Sequence, residues 1–273
     1  MEWQYISSRS NALVVRMTKL KEKKYRRAEG LFRFDGIKLF LEAVEKGASI
    51  EYVFVMESAS DAVKLAVKNS GLTSVTYLLS DEAFAKLTDE QAPEGVVTVC
   101  QNLKNVNMSS DTQALARDAR GATTLILESV RDTGNLGTVI RTAKAFSIDR
   151  LIISSDCADL YNPKTVRAAM GALFSQEIVE VDDVAALIAN MRSEGSRVYA
   201  AALQSDAKAL GSIELKMGDA IVIGNEGHGL SGAVIDACDE CLYIPMEAGS
   251  ESLNASVAAS VCMWELYKIK LNG

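Results

Sequence analysis

The sequence predicts an α/β protein of two domains, and three observations carry that prediction. Short β-branched apolar runs recur along the chain, helical patterns fall between most of them, and a polar stretch at residues 102–121 separates two such series. At 273 residues, with 48% hydrophobic and 24% charged content, the chain can bury a full core. No apolar run approaches the roughly 18–20 residues that span a bilayer, and the opening MEWQYISSRSN lacks a basic-then-apolar signal pattern. A cytoplasmic protein without a membrane partner is the expectation.

Residues 1–101 read as a small α/β domain. A polar helix near residues 8–28 leads to the strand-like LFRFDG, and IKLFLEAVEKG follows as a helix stopped by Gly47. YVFVME, SVTYLL and VVTVC are strand-like, separated by the helices DAVKLAVKNSG and DEAFAKLTD. Residues 102–121, without a sustained apolar pattern, are assigned as the linker. From 122 to 273, TTLILESV, RLIIS, QEIVEV, RVYAAAL, DAIVIGNE and CLYIPM have the composition of parallel strands buried on both faces.

Charge is unevenly placed. The net charge is −7, yet between Arg16 and Arg33 eight Lys and Arg residues meet only Glu22 and Glu29. A solvated helix face accounts for many such runs. The interleaved Tyr25 and the acidic remainder point instead to a phosphate-contacting arm, with Arg16, Lys19, Lys23, Lys24, Arg26 and Arg27 as its candidates. Five scattered cysteines without a secretory signal read as reduced thiols. Cys238 and Cys241 form a C-x-x-C, but a zinc site needs about four ligands. There is no second such pair and His228 is the single histidine, so no metal is expected.

Ligands of open parallel sheets bind beyond the carboxyl ends of strands. Three segments of the second domain have residues suited to such a place. In LESVRDTGNLGTVIRTAKAF, Gly134 and Gly137 permit a tight turn, Asn135 is a helix cap, and Arg141 offers a planar fork to phosphate or carboxylate if its side chain reaches back to the loop. An ion pair with Asp132 is the alternative for Arg141. AIVIGNEGHGLSG contains G-x-G-x-x-G at Gly227, Gly229 and Gly232, but Glu226 beside the loop and its late position argue against a dinucleotide. In YIPMEAGSESLNASVAASVCMWEL, Ser252 and Asn254 stand at the start of a long helix with apolar spacing through Val257, Val261 and Trp264.

In this order, the three segments resemble the motifs of the SpoU branch of the SPOUT RNA methyltransferases, over residues 122–270. GNLGTVIRTAKAF looks like the first family motif, IVIGNEGHGLS the second and IPM…ESLNAS the third, and DLYNPKTVRAAMGALF is similar to the segment between the first two. The N-terminal SSRSNALVVRMTKLKEKKYRRAEGLFRFDGIKLFLEA resembles the ribosomal-protein-like substrate-recognition domain of many members. Thr133 stands where proline is common and Ala255 where valine is common.

The resemblance implies a mainly parallel sheet with a trefoil knot and a homodimer whose active site is completed across the interface, with Val261, Trp264 and Leu266 as apolar contacts. It implies S-adenosylmethionine as cofactor, held by Gly224, Ile244, Met246, Leu253 and Asn254. Asn135, Arg141, Glu226, Ser252 and Asn254 would form the catalytic polar wall, and Lys164 and Arg167 further phosphate contacts. The implied reaction is methyl transfer to a ribose 2′-hydroxyl of a structured RNA, ribosomal RNA before transfer RNA. The alternatives are a transfer-RNA 2′-O-methyltransferase and a catalytically silent RNA-binding or ribosome-assembly factor; a nicotinamide-dependent oxidoreductase is remote.

Overall fold

A computed structural model describes residues 3–247 and 252–272. The chain divides into two compact units, one running to Lys104 and including Asp159–Phe174, the other comprising Asn105–Ala158 and Ser175 onward. No described helix is long and apolar enough to cross a membrane.

The first unit begins β1 (Gln4–Ile6), α1 (Ala12–Thr18), α2 (Lys23–Glu29), β2 (Leu31–Asp35), α3 (Ile37–Glu45) and β3 (Ile50–Met56). It continues through α4 (Asp61–Asn69), β4 (Thr76–Leu79), α5 (Asp81–Leu87) and β5 (Val96–Gln101). Its five strands lie in the order β1-β4-β3-β5-β2. Alternation along β3 sends Phe54 to a core with Met17, Leu20 and Phe84, and Val53 and Val55 to a second core with Phe40 and Val67.

The single basic helix expected near 8–28 is instead broken. Lys19–Lys21 form a 3-10 turn, Glu22 is extended at φ −95° and ψ 132°, and α2 starts afresh. Arg26 makes the break tolerable, because its buried guanidinium donates to the carbonyls of Leu20 and Lys21, each at 2.6 Å.

The second unit contains β6 (Val106–Met108), α6 (Thr112–Asp118), β7 (Thr124–Leu127), α7 (Thr133–Ala145) and β8 (Arg150–Ser154). The chain then visits the first unit with Asp159–Phe174, which holds α8 (Pro163–Ala169). It returns for β9 (Ile178–Val181), α9 (Val184–Ser193), β10 (Val198–Ala201), β11 (Lys208–Ala209), β12 (Ala220–Ile223), α10 (Gly232–Ala237), β13 (Glu240–Tyr243) and α11 (Ala255–Asn272). The eight strands lie in the order β11-β13-β10-β12-β7-β8-β9-β6, and every described pairing is parallel. One core joins Ile126, Ile152, Val179 and Val222 of the strands to Leu115, Leu187, Met191 and Val234 of α6, α9 and α10. Helices α7 and α11 pack on each other, and α11 also meets β12.

Two assignments change. The stretch at 102–121 is more than a linker, since β6 pairs with β9 and α6 buries Leu115 and Ala116 beneath an Asp111 cap. Two buried side chains are too few to leave a helical pattern. Asp159–Phe174, contiguous in sequence with the second domain, packs in the first unit. Tyr161 stacks on Phe32 at 4.6 Å and accepts the Leu103 N–H at 2.9 Å, Phe174 lies 5.4 Å from Phe34, and Asp159 pairs with Arg26.

Candidate active site

Because β10, β12 and β7 are parallel neighbours and β13 flanks β10, their carboxyl ends open side by side. The loops after them build the site.

The loop after β7 enters α7 through Asp132, whose carboxylate accepts the Asn135 N–H at 2.7 Å. Asp132 is therefore the cap, and Asn135 sits inside the first turn. That frees the Asn135 carboxamide, which donates to Glu226 at 2.9 Å and accepts from the Asn254 amide at 3.0 Å. Asn254 in turn caps α11, its Oδ1 accepting the Ser256 N–H at 2.9 Å and the Ser256 hydroxyl at 2.7 Å. One hydrogen-bonded chain thus ties together residues 119 apart in sequence.

The loop after β12 folds back on itself. Asn225 and Gly229 exchange two backbone hydrogen bonds at 3.0 and 2.9 Å, with Gly229 at φ +69°. The Asn225 Oδ1 accepts the N–H groups of Gly227 and His228 at 2.8 and 3.2 Å, while its Nδ2 donates to the Ser129 carbonyl at 2.7 Å. Gly224 is required by contact: an ideal Cβ would lie 2.5 Å from the Gly229 carbonyl oxygen and nearer still to the Gly229 carbonyl carbon and Leu230 nitrogen.

A cavity of about 450 Å³ lies within these loops. Gly224, Ile244, Met246 and Leu253 line it, with Glu226 and Ser252 on its polar side. Asn135 adjoins through its hydrogen bond to Glu226, and Asn254 through its bond to Asn135, rather than as lining. The residues between Glu247 and Ser252 lie outside the described ones. Sequence reasoning missed Ala201–Gln204 at the end of β10 and just beyond it, and Cys262 of α11, both of which line the cavity. Their only signal was position: a parallel strand's carboxyl end, and one turn of a helix facing inward. Burial pushes the Cys262 thiol up to about 12.

Arg141 departs from expectation. It is the ninth residue of α7, exposed, absent from the cavity wall, and makes no hydrogen bond or ion pair among the described residues, with Asp132 or any other acid. Six residues at about 100° each place it roughly 120° around the helix from Asn135, so the two leave α7 on different sides.

Of the basic arm, Arg26 is corrected. It is 4% exposed and paired with Asp159, leaving no group for a phosphate. Lys19 and Lys24 lie 5.4 and 4.8 Å from the Tyr25 ring centroid, and Arg16, Lys24 and Arg167 pair with Glu29, Glu22 and Glu90. Lys23, Arg27 and Lys164 are exposed, and their charged ends have no partner among the described residues.

The model of the SpoU rRNA Methylase family matches residues 122–264, a span that includes all the loops just described. The chain belongs to this family. A second family model, the MRM3-like substrate binding domain, matches residues 11–98 of this SpoU protein. The 23S rRNA (guanosine(2553)-2′-O)-methyltransferase RlmP of Bacillus subtilis is 31% identical over 96% of this chain and 98% of its own. The 23S rRNA (guanosine-2′-O-)-methyltransferase RlmB of Coxiella burnetii is 30% identical over 79% and 86%. The crystal structure of an AdoMet-bound rRNA methyltransferase from Sinorhizobium meliloti superposes with a TM-score of 0.82 at 25% identity, covering 97% of each chain.

The SpoU cavity fits S-adenosylmethionine in size and chemistry. Its volume falls within the roughly 300–1,000 Å³ of small-molecule sites. Apolar side chains flank a folded-back backbone at Gly224–Gly229 that leaves no room for a Cβ at its base. The five cysteines are free thiols, and no group of three His, Cys, Asp or Glu suited to a metal occurs among the described residues.

Proposed function

We propose that this chain is an S-adenosylmethionine-dependent RNA methyltransferase that methylates a ribose 2′-hydroxyl, with structured ribosomal RNA as its substrate. The observation that carries this reading is the Asn254–Asn135–Glu226 hydrogen-bonded chain at the rim of the cavity. The cofactor supplies an electrophilic sulfonium methyl group when bound. Gly224, Ile244, Met246 and Leu253 hold it in the cavity. Asn135 and Asn254 lock one another's carboxamides, and Glu226 is fixed by Asn135, so the polar rim is ordered before RNA arrives. Ser252 adds a hydroxyl on the same side.

The ribose oxygen must be aligned and must lose a proton, and a cation beside the adjoining phosphate serves both needs. Arg141 is that cation, holding the phosphate while the proton leaves through a phosphate oxygen or water. Because Arg141 does not line the cavity of its own subunit, it serves the cavity of a second copy. The homodimer forms through α11, where Val257 and Trp264 are 47% and 44% exposed and Val261 lies between them on the same face. Leu266, fully buried inside the subunit, does not take part. The trefoil knot belongs to the same reading. The first unit recruits RNA through Arg16, Lys19, Lys23, Lys24, Arg27, Lys164 and Arg167.

Calorimetry with S-adenosylmethionine, together with mass-spectrometric mapping of ribose methylation in total RNA from cells with and without the gene, tests the proposal. Cofactor binding and one lost 2′-O-methyl mark in ribosomal RNA are expected. Binding without any changed mark, or no binding, overturns it.

A further inference from the structure

The catalytic rim has a support that none of the motif residues explains. At the carboxyl end of β7, the Glu128 carboxylate takes two hydrogen bonds from one residue, the Ser231 N–H at 2.8 Å and the Ser231 hydroxyl at 2.7 Å. Ser231 is the cap of α10, its hydroxyl oxygen accepting the Val234 N–H at 3.3 Å. The Glu128 N–H is itself fixed by the Ile223 carbonyl at 2.8 Å. Glu128 therefore grips both ends of the loop after β12, its entrance by backbone and its exit by side chain. Residue 226 lies between those two grips.

The next residue continues the scaffold. Ser129 adopts φ +55°, a conformation that costs a non-glycine residue on the order of 1 kcal/mol and persists only where neighbours enforce it. They do: its N–H donates to the Ser154 hydroxyl at 2.8 Å, its own hydroxyl donates to Asp156 at 2.5 Å, and Ser154 donates to the other Asp156 oxygen at 2.6 Å. The turn aims the Ser129 carbonyl at the Asn225 side-chain amide, 2.7 Å away. Asn225 adjoins Glu226.

We propose that Glu128 is a positioning residue for methyl transfer, acting with Ser129 and Asp156 to set where Glu226 meets Asn135. Glu128 does not touch the reacting atoms. Its two hydrogen bonds hold the exit of the 224–231 loop, the Ser129 turn holds its entrance through Asn225, and the Glu226 carboxylate is carried into register with the Asn135 amide. This inference rests on the methyltransferase reading of the site.

The test is a double-mutant cycle on the full-length protein, with methyl transfer from S-adenosylmethionine to in-vitro-transcribed 23S ribosomal RNA under saturating cofactor. Glu128→Ala should lower kcat by about 10- to 100-fold, and Glu128→Gln, which keeps the volume and one acceptor, by about 3- to 10-fold. In a Glu226→Ala background the same changes should each cost no more than about twofold, since the group being positioned is gone. Hydrogen–deuterium exchange of the cofactor-free Glu128→Gln protein should show faster exchange confined to residues 225–231. Equal losses in the two backgrounds, turnover of both Glu128 variants within about twofold of the parent, or exchange rising across the whole sheet each overturn the proposal. If Glu128→Ala does not fold, the Glu128→Gln cycle decides. A parent protein that fails to methylate any RNA refutes the activity instead, and the exchange result still judges the clamp.

Discussion

Gly224→Ala isolates the step at which backbone geometry becomes cofactor binding. A Cβ at residue 224 meets backbone atoms of Gly229 and Leu230, with the Gly229 carbonyl oxygen at 2.5 Å, about 1 Å inside ordinary contact. Backbone cannot rotate aside as a side chain would, so the returning strand of the loop must withdraw. Withdrawal removes the two Asn225–Gly229 hydrogen bonds, worth about 0.5–1.5 kcal/mol each. Overpacking strain adds about 1–3 kcal/mol, for a total of roughly 2–6 kcal/mol. For a unit of this size each kcal/mol moves Tm by about 2–4 °C, giving a fall on the order of 5–20 °C in the methyltransferase transition. The cavity wall shifts with the loop, so affinity for S-adenosylmethionine should fall at least about tenfold, equivalent to roughly 1.4 kcal/mol. Gly232→Ala is the control, because its Cβ meets nothing within 4 Å and it opens α10. Scanning calorimetry and cofactor titration on both variants give the answer. A Gly224→Ala protein that matches Gly232→Ala in Tm and affinity refutes the close-approach argument.

Arg26→Ala should destabilise the first unit by about 3–5 kcal/mol in thermal denaturation, because Asp159 and the carbonyls of Leu20 and Lys21 lose a buried partner. Lys23→Ala should change stability by less than about 0.5 kcal/mol while reducing the salt slope of RNA binding by about 0.7–0.9; a reversal of the two phenotypes would contradict their placement. Burial pushes the Cys238 and Cys262 thiols up to about 12, so raising the pH from 7 to 9 leaves both almost wholly protonated. Iodoacetamide should label half-buried Cys241 first, and peptide mapping that finds Cys262 labelled early in the folded protein would count against its burial. Arg141→Lys should abolish most turnover at unchanged cofactor affinity, and mixing it with a Glu226→Ala protein should restore part of the activity if the arginine serves a second subunit. Trp264→Glu should convert a dimer to monomer in analytical ultracentrifugation; an unchanged mass excludes the α11 face as the interface.

The parallel sheet was legible because its central strands are continuous apolar runs, and β7, β8, β12 and β10 fall within TTLILESV, RLIIS, DAIVIGNE and RVYAAAL. The shortest edge strands were not. β1, β6 and β11 are two or three residues long, and at that length a period-2 pattern has nothing to repeat. The break at Glu22 escaped for a different reason, since propensity favours one helix there and only the tertiary demand for a buried Arg26 interrupts it. The visit of Asp159–Phe174 to the first unit is likewise written in partners rather than pattern: Tyr161 and Phe174 find Phe32 and Phe34 more than a hundred residues away.

Local chemistry fared better than local geometry at the site. The family resemblance implied a polar wall with Asn135, Glu226 and Asn254, but the sequence assigned Asn135 a capping duty that Asp132 performs. The distinction has functional weight. A capping carboxamide is committed to a backbone N–H and cannot hold anything else, whereas Asn135, relieved by Asp132, spends both ends of its side chain on Glu226 and Asn254. The same one-turn displacement carries Arg141 higher on α7 and off the cavity face. A helix capped three residues earlier than Asn135 thus accounts for both departures, and it leaves a single subunit with an ordered acid and two amides at its rim while Arg141 is exposed and off the cavity wall. On the proposed reading, a reaction that uses all four groups at one phosphate-bearing sugar draws Arg141 from a second copy of the chain.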